Sequence, residues 1–283
     1  NAHKNGVWVG ICGELGADLQ LTETFLSIGI DELSVSPRSV LPLRQKVRDI
    51  IAVVQEECGH SDVYFYGVDE ATAEKVDQQR PLWDAIHEEG GKLMTSDCSI
   101  SRFGADIDGK LLELLTMAGD TSPGLAARRH ATGGQILSYG NPQGGVENPL
   151  AYRRNYGLRL WKHDYDGFAT YCYYEAFGHP WDDFDSRDYR DHNLVYPTAD
   201  GVIDTVAWEG YREAVDDIRY ATLLRQLAFK AKESADPETV YAGRSALAWV
   251  VQIDYRRSAL ESLRLEMVNR ILDLQSRLAK EGK

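Results

Sequence analysis

The feature that most constrains this chain is the regular alternation of short β-rich runs with helical segments up to Pro197. The helical segments carry apolar residues three and four positions apart, the spacing of a helix with one buried face. The predicted strands are Val7–Cys12, Glu32–Ser36, Asp62–Tyr66, Lys92–Thr95, Leu114–Met117, Gln135–Tyr139, Phe168–Tyr173 and Asn193–Tyr196. Strands that alternate with helices pair in parallel, so this pattern predicts an α/β fold of the (β/α)8 TIM-barrel type.

The predicted helices fill the gaps between these strands and continue beyond them. They are Leu43–Gln55, Thr72–Glu88, Pro123–Ala131, Pro149–Trp161, Thr205–Lys232 and two segments that start near Tyr241 and Ser258. In the last segment the apolar residues repeat on one face, at Leu260, Leu263, Met267, Ile271, Leu274 and Leu278. We therefore expect extra C-terminal helices that pack against the barrel.

The composition limits the partners and the location that we expect. The chain has 44 acidic and 31 basic residues, a net charge of −13, and no basic cluster interleaved with aromatic residues. Nucleic acid and anionic membranes are therefore not expected partners. The four cysteines lack any CxxC spacing, so the sequence indicates neither a metal site nor a cofactor. Neither an apolar run of about 18 residues nor a leader is visible, so we expect no membrane span and favour a cytoplasmic location.

The N-terminal segment carries a distinctive text around Cys12. The letters AHKNGVWVGICGELGAD, followed by GIDELSVSPRSVLPLR, resemble the C-terminal end of the phosphoenolpyruvate-utilising barrel of Enzyme I of the sugar phosphotransferase system. In that family the cysteine of the GxCGE motif protonates the enolate of pyruvate, and Cys12 matches it. The phosphorylated-histidine domain and the strands with the magnesium ligands have no counterpart, so phosphoryl transfer lacks its charge clamp and its metal.

A longer part of the chain, from about residue 52 to about residue 280, carries a second set of motifs. They read VYFYGVDEA, then LSYGNPQGGVENPLAYRRNYGLRLWKHDYDG, then GHPWDDFDSRDYRDHNLVYPTADGVIDTVAWEGYREAVDDIRY. These segments resemble the catalytic barrel of the glycoside hydrolases typified by β-N-acetylgalactosaminidase. The resemblance implies a TIM barrel in which an adjacent Asp-Glu pair at a strand end, here Asp69 and Glu70, carries the chemistry.

The two resemblances divide the chain into three predicted parts. Residues 1–50 form Enzyme I-like βα units, residues 51–232 a glycoside-hydrolase-like barrel portion, and residues 233–283 a C-terminal helical extension. Relatives of the hydrolase carry further strands before the Asp-Glu strand, and here the Enzyme I-like units stand in that place. Because βα units are interchangeable to first order, these units could close a hybrid barrel or leave an incomplete one. The join is compatible with a natural, an engineered or a misassembled sequence.

Asp69 and Glu70 are adjacent in the sequence, and this spacing fits one of two mechanisms of glycoside hydrolysis better than the other. Two opposed carboxylates need a separation of roughly 5 Å or more and usually come from different strands. Adjacent residues suit substrate-assisted hydrolysis, in which the 2-acetamido oxygen of the sugar is the nucleophile. In this scheme Asp69 orients the acetamido group and Glu70 is the acid and base. The alternative interpretation of an Asp-Glu dipeptide is a cap and a first-turn acid of the helix that follows.

Aromatic and amide side chains at other strand ends are candidates for binding a carbohydrate substrate. Aromatic faces stack on sugar rings, and amide and hydroxyl groups bond the sugar hydroxyls. The acidic loop at residues 181–192 could hold a hard cation, but its arginines can pair with its acids, and we expect an ion-paired loop. The predicted sugar-binding residues are Tyr139, Asn141, Tyr174 and Trp181.

Three functions are compatible with these observations. The first is a glycoside hydrolase that acts on N-acetylhexosaminides through Asp69 and Glu70. The second is a catalytically inactive barrel that binds carbohydrate, which differs from the first in showing no turnover. The third is phosphoenolpyruvate chemistry at Cys12, which releases pyruvate. The oligomeric state stays open.

Overall fold

The computed structural model describes residues 10–12, 32–34, 37–70, 72–97, 103–139, 148–187 and 191–281. These residues belong to two compact units. The first unit comprises Asn1–Thr116 and Arg128–Gln135, and the second comprises Met117–Ala127 and Ile136–Lys283.

The strands of the described residues form three sheets. β1 and β2 pair in parallel, β3 to β7 form a five-stranded parallel sheet in the order β3-β4-β5-β6-β7, and β8 and β9 pair antiparallel. Because strands that are consecutive along the chain are neighbours in the sheet, its topology is that of successive βα units. The strands are β1 Gly10–Cys12, β2 Glu32–Ser34, β3 Tyr64–Tyr66, β4 Lys92–Asp97, β5 Leu114–Ala118, β6 Gln135–Tyr139, β7 Gly167–Phe168, β8 Val195–Pro197 and β9 Val202–Asp204.

Helices connect most of these strands and make up the C-terminal third of the chain. They are α1 Pro37–Cys58, α2 Ala73–Glu88, α3 Pro123–Ala131, α4 Pro149–Tyr156, α5 Leu158–Lys162, α6 Val206–Lys232, α7 Pro237–Gln252 and α8 Leu260–Glu281. A short 3-10 helix, Phe103–Asp106, precedes β5. Of the helices in the described ranges, none is both long and apolar enough to cross a bilayer.

The predicted α/β class with a parallel sheet is confirmed, while closure into an eight-stranded barrel is not seen in the described part of the chain. The predicted eighth strand, Asn193–Tyr196, does not join the parallel sheet, so this prediction was wrong. Its residues contribute to β8, which forms an antiparallel hairpin with β9. In its turn the Thr198 N–H donates to the Gly201 carbonyl oxygen at 2.9 Å. Proline, aspartate and glycine in the sequence PTADG favour such a turn, so the chain reverses here and pairs with itself rather than with the parallel sheet.

The predicted helix Pro149–Trp161 is divided at Gly157 into α4 and α5. A Cβ at this position would lie 2.4 Å from the carbonyl oxygen of Arg153 and 3.2 Å from Cα of Ala214. The glycine therefore permits a close approach to α6 that any other residue would obstruct.

The core of the first unit supports the strand end that carries Asp69. Helix α2 begins after its N-cap Thr72, whose hydroxyl accepts the Lys75 N–H at 3.3 Å. The same helix buries Trp83 completely. The indole ring lies so close to Gly67 that a Cβ there would be 3.0 Å from it. This contact fixes the chain directly after β3 against α2.

The core of the second unit forms around α6, which packs against α4, α7 and α8. The predicted apolar face of the last helix is confirmed. Its residues Leu260, Leu263, Met267, Ile271 and Leu274 are buried in one cluster, with Leu278 packed against it.

A buried ion pair joins α4 to α6. Asp217 is 0% exposed and Arg153 is 3% exposed. The Arg153 guanidinium donates to both Asp217 oxygens, at 2.6 and 3.1 Å, and Arg264 of α8 donates to Oδ1 at 2.6 Å. Because both oxygens of this carboxylate are bonded, its burial is compensated.

Candidate active site

The turn that carries Asp69 and Glu70 lies between the end of β3 and the start of α2. The Gly67 N–H donates to the Met94 carbonyl oxygen at 2.7 Å, so the pairing with β4 continues one residue beyond β3. The N-cap of α2 is Thr72 and not Asp69. The helix-cap interpretation of the Asp-Glu pair is therefore wrong, and both side chains are exposed at the C-terminal end of a parallel strand, where α/β proteins place their sites.

The Asp69 carboxylate is held by two hydroxyl groups. Tyr66 donates to Oδ1 at 2.7 Å, and Ser96 of β4 donates to the same oxygen. The Ser96 hydroxyl, followed by that of Tyr66, holds the pKa of the Asp69 carboxyl below its ordinary value. Burial raises the pKa of Tyr66, with the neighbouring carboxylate adding to the effect, so this phenol stays protonated as a donor. The site therefore favours an ionised Asp69.

Glu70 has an unusual backbone conformation. Its φ is 49°, in the left-handed region that residues other than glycine seldom adopt. The Glu70 N–H donates to the Ser96 hydroxyl oxygen at 3.0 Å. The Lys75 ammonium donates to the carbonyl oxygens of Asp69 at 3.0 Å and of Glu70 at 3.3 Å. These bonds maintain a strained turn, a feature that clusters at functional sites.

Ser96, Tyr66 and Lys75 were not identified from the sequence. Ser96 directly follows the predicted strand Lys92–Thr95, and neighbouring parallel strands end at the same edge of a sheet. That relationship was the available signal for Ser96. Lys75 lies one helical turn into α2, and nothing in its sequence pattern separates it from an ordinary surface lysine.

The predicted sugar-binding residues that the structure describes lie in the second unit. Tyr139 is the last residue of β6 and is half-buried, and Tyr174 is half-buried in the segment after β7. Trp181 is 53% exposed and stacks on Tyr196, with ring centroids 5.3 Å apart. Asn141 lies outside the described residues. Of the predicted site residues, Asp69 and Glu70 share bonds to Ser96 in the first unit, while Tyr139, Tyr174 and Trp181 belong to the second.

A cavity of about 350 Å³ opens beside β7 in the second unit. It is lined by the aromatic residues Phe168, Trp208 and Tyr211, with Arg212 at its edge. The Phe168 and Tyr211 rings stack with centroids 5.1 Å apart. Its volume lies within the range of small-molecule sites. Trp208 and Tyr211 were not identified from the sequence.

In the described part of the acidic loop, residues 181–187 and 191–192, aspartates accept hydrogen bonds from the backbone and from a tyrosine hydroxyl. Asp185 accepts the His179 N–H, and Asp191 accepts the Phe177 N–H at 2.9 Å. Asp183 accepts the Tyr196 hydroxyl at 2.8 Å. We expected Arg187 and Arg190 to pair with these acids; Arg187 is described and exposed, whereas Arg190 lies outside the described residues, so the ion pairing stays a prediction. The carboxylates therefore shape the loop.

The alternative residue Cys12 is the last residue of β1 and stands opposite Ser34 of β2. Residues 1–52 match the family model of the PEP-utilising enzyme, PEP-binding domain. This segment is 46% identical over 46 residues to the phosphoenolpyruvate-protein phosphotransferase of Bacillus subtilis, which covers 16% of this chain and 8% of that protein. It is 41% identical over 49 residues to multiphosphoryl transfer protein 1 of Escherichia coli K12, which covers 17% of this chain and 6% of that protein.

The larger part of the chain matches a different family. A solved structure of a family 123 glycoside hydrolase from Clostridium perfringens, described in a study of glycolipid glycan hydrolysis, superposes on 87% of this chain with a TM-score of 0.54. The sequence identity is 14%, so this likeness shows the fold alone, and the chain spans 46% of that protein. The family model of the glycoside hydrolase 123 catalytic domain matches residues 43–224, well over half of the chain. The chain therefore belongs to the glycoside hydrolase 123 family.

Proposed function

We propose that this chain hydrolyses glycosides of 2-acetamido sugars, the N-acetylhexosaminides, by a substrate-assisted retaining mechanism at Asp69 and Glu70. The observation that carries the proposal is the turn after β3, in which Ser96 and Tyr66 favour an ionised Asp69 directly beside Glu70. Membership of the glycoside hydrolase 123 family supports a carbohydrate as the substrate.

The proposed role of Asp69 is to position the acetamido group. An ionised carboxylate accepts the acetamido N–H and stabilises the positive charge that develops when the acetamido oxygen attacks the anomeric carbon. Both hydroxyl donors bond Oδ1, and the proposal assigns Oδ2 to the substrate. The lowered pKa of Asp69 supports this role, because a protonated acid could not accept the N–H.

The proposed role of Glu70 is that of acid and base. Its carboxyl donates a proton to the leaving glycosidic oxygen while the bond from that oxygen to the anomeric carbon breaks. The carboxylate then takes a proton from the water that opens the oxazolinium intermediate, which restores the starting state. Exposure of the Glu70 side chain supports this role, since the leaving group and the water must both reach it.

The substrate pocket and the barrel extend the same proposal. We propose that Tyr139, Asn141, Tyr174 and Trp181 bind the sugar. The two tyrosines are half-buried and Trp181 is exposed, so their rings could contact the sugar through their faces. We also propose that the parallel sheet is part of a (β/α)8 barrel built from residues 1–50 and 51–232, with residues 233–283 as its helical extension. The sequential strand order supports the barrel.

The experiment compares two glutamates in the full chain on an aryl N-acetyl-β-hexosaminide. Glu70→Gln should lower kcat by about 10²–10⁴-fold, the usual contribution of a general acid. Glu74→Gln, at an exposed position in the first turn of α2, is the matched control and should keep the parental rate. Equal turnover by Glu70→Gln and the parent would refute the role of Glu70. Sugar binding by the parent without turnover would instead support the carbohydrate-binding alternative.

A second candidate activity is supported by the match of residues 1–52 to the PEP-binding domain. We propose for it proton transfer from Cys12 to the enolate of pyruvate, as the resemblance implies. With water as the acceptor of the phosphoryl group, phosphoenolpyruvate and water give pyruvate and phosphate. Release of pyruvate by the full chain should then disappear in Cys12→Ala and persist in the control Cys58→Ala, whose thiol is exposed. Absence of pyruvate release by the parent would remove this candidate.

A further inference from the structure

Three side chains with different metal-binding atoms meet in the second unit. The ligand atoms of Cys172, Glu175 and His192 all lie within 4.8 Å of one another. All three side chains are partly buried. They come from two separate segments, one after β7 and one before β8, so the cluster depends on the fold.

Backbone hydrogen bonds fix the two segments against each other. The His192 N–H donates to the Glu175 carbonyl oxygen at 3.0 Å, and the Leu194 N–H donates to the Tyr173 carbonyl oxygen at 3.1 Å. The Cys172 thiol donates to the His192 carbonyl oxygen at 3.3 Å. These bonds hold the backbone of the three ligand-bearing residues in place, so their side chains start from fixed positions.

The His192 ring is held in place, and one of its nitrogens lacks a partner. The rings of Tyr171 and Phe177 contact it edge-on, with centroids at 5.2 and 5.4 Å. Nδ1 of His192 is buried and has no hydrogen-bond partner among the described residues. A buried ring nitrogen without a partner is unfavourable, and such atoms commonly mark a bound ion or water.

The donor set points to one class of ion. A thiolate, an imidazole nitrogen and a carboxylate oxygen together suit Zn²⁺, whereas Ca²⁺ and Mg²⁺ prefer oxygen alone. To bind the ion, the Cys172 thiol must lose its proton, and a divalent cation then neutralises the resulting thiolate and the Glu175 carboxylate together. Three protein ligands leave a fourth tetrahedral position for water.

We propose that Cys172, Glu175 and His192 bind one Zn²⁺ ion, with water as the fourth ligand. On binding, the thiol proton passes to the solvent and a zinc–sulfur bond forms. The bound ion cross-links the segment after β7 to the segment before β8. None of these three residues takes part in the proposed hydrolysis, so the zinc site does not rest on it.

The test is Co²⁺ and Zn²⁺ binding to the metal-stripped full chain. Co²⁺ should give a thiolate-to-metal charge-transfer band and the intense visible bands of a tetrahedral site, at one ion per chain. Zn²⁺ should displace it and raise the Tm, because the ion binds the folded state. In Cys172→Ser the charge-transfer band should disappear, and in His192→Gln the affinity for Zn²⁺ should fall by more than about 100-fold, since even supporting residues contribute 10–100-fold.

Two controls keep the test decisive. Cys58→Ser removes an exposed thiol elsewhere and should leave the charge-transfer band and the zinc affinity unchanged. Glu175→Gln keeps the shape of its side chain, so it should fold and yet bind Zn²⁺ more weakly. Undiminished cobalt and zinc binding in Cys172→Ser or in Glu175→Gln would overturn the proposal, as would a parent chain that shows no charge-transfer band with Co²⁺.

Discussion

The hydroxyl of Ser96, near the C-terminal end of β4, donates to the carboxylate of Asp69 in the turn after β3. The same hydroxyl oxygen accepts the N–H of Glu70 at 3.0 Å. One side chain on the neighbouring strand thus holds both members of the Asp-Glu pair. The position of the proposed catalytic pair and the lowered pKa of Asp69 depend on the pairing of β3 with β4.

Ser96→Ala should raise the pKa of Asp69, because it removes the main cause of its depression. The folded-state pKa of Asp69 lies below its unfolded value, so its ionisation stabilises the protein above that unfolded value. This contribution is lost as the pH falls through the folded-state pKa. Urea unfolding from about pH 6 to about pH 3 should therefore show a weaker acid dependence in Ser96→Ala than in the parent.

Ser61→Ala is the control for this comparison, since Ser61 is exposed in the same unit and precedes β3. It should reproduce the acid dependence of the parent. On the proposed mechanism, the acidic limb of kcat/KM should also move to higher pH in Ser96→Ala. If Ser96→Ala and Ser61→Ala unfold with the same pH dependence, the hydroxyl bond to Asp69 does not act as described.

Asp217→Asn should destabilise the second unit strongly. The substitution removes the buried carboxylate that faces the Arg153 guanidinium and leaves it only the more exposed Glu261 and Glu213. Breaking a buried pair costs about 3–5 kcal/mol. The neighbouring Asp216→Asn is the matched control. Asp216 forms a long ion pair of 3.6 Å with the exposed Arg219, so its substitution should cost about 0–1 kcal/mol. Urea unfolding measures both. Similar losses in the two variants would contradict the buried ion pair.

Gly210→Ala should destabilise the contact between α4 and α6. A Cβ at Gly210 would lie 2.4 Å from the carbonyl oxygen of Pro149, and the overpacking should cost about 1–3 kcal/mol. Gly124→Ala in α3 meets nothing nearer than the Ser122 hydroxyl at 3.7 Å, so it should stabilise by about 0.5–1 kcal/mol. Thermal unfolding of the two variants should therefore shift the Tm in opposite directions, and a shared direction would disprove the close approach.

His163 should make the second unit sensitive to mild acid. Burial lowers the pKa of its imidazole, with Arg159 and Arg256 adding to the effect, and the ring contacts Thr121 at 2.8 Å. Its folded-state pKa lies below the unfolded value, so stability is lost as the pH falls from the unfolded towards the folded value. His163→Gln should flatten the Tm profile between about pH 7 and about pH 5. Parallel profiles for parent and variant would exclude this role of His163.

Local sequence signals predicted the elements whose boundaries depend on local physics. The bounds of β6 and α3 agree with the predicted Gln135–Tyr139 and Pro123–Ala131, since proline opens the helix and the strand is a short run flanked by glycine. The buried face of α8 followed from its apolar spacing. The break at Gly157 was not predicted, because the apolar spacing runs on through this glycine; a Cβ there would meet both the Arg153 carbonyl oxygen of α4 and Ala214 of α6.

The candidate site was predicted only in part, because its residues come from separate segments of the chain. Asp69 and Glu70 were identifiable because they directly follow a strand in a recognisable text. Ser96 depends on the register between β3 and β4, and the orphaned nitrogen of His192 depends on a contact between distant segments. Such long-range relationships are set by tertiary packing, which a pattern within one segment does not encode.

The most direct test of the account compares three aryl β-glycosides that differ only at C2. They carry an acetamido, a trifluoroacetamido or a hydroxyl group, and initial rates are measured with the full chain. If the acetamido oxygen is the nucleophile, kcat/KM should fall steeply from the first substrate to the second, and the third should not be cleaved. Equal rates on the acetamido and hydroxyl substrates, or no cleavage of any of them, would contradict substrate-assisted hydrolysis at Asp69 and Glu70.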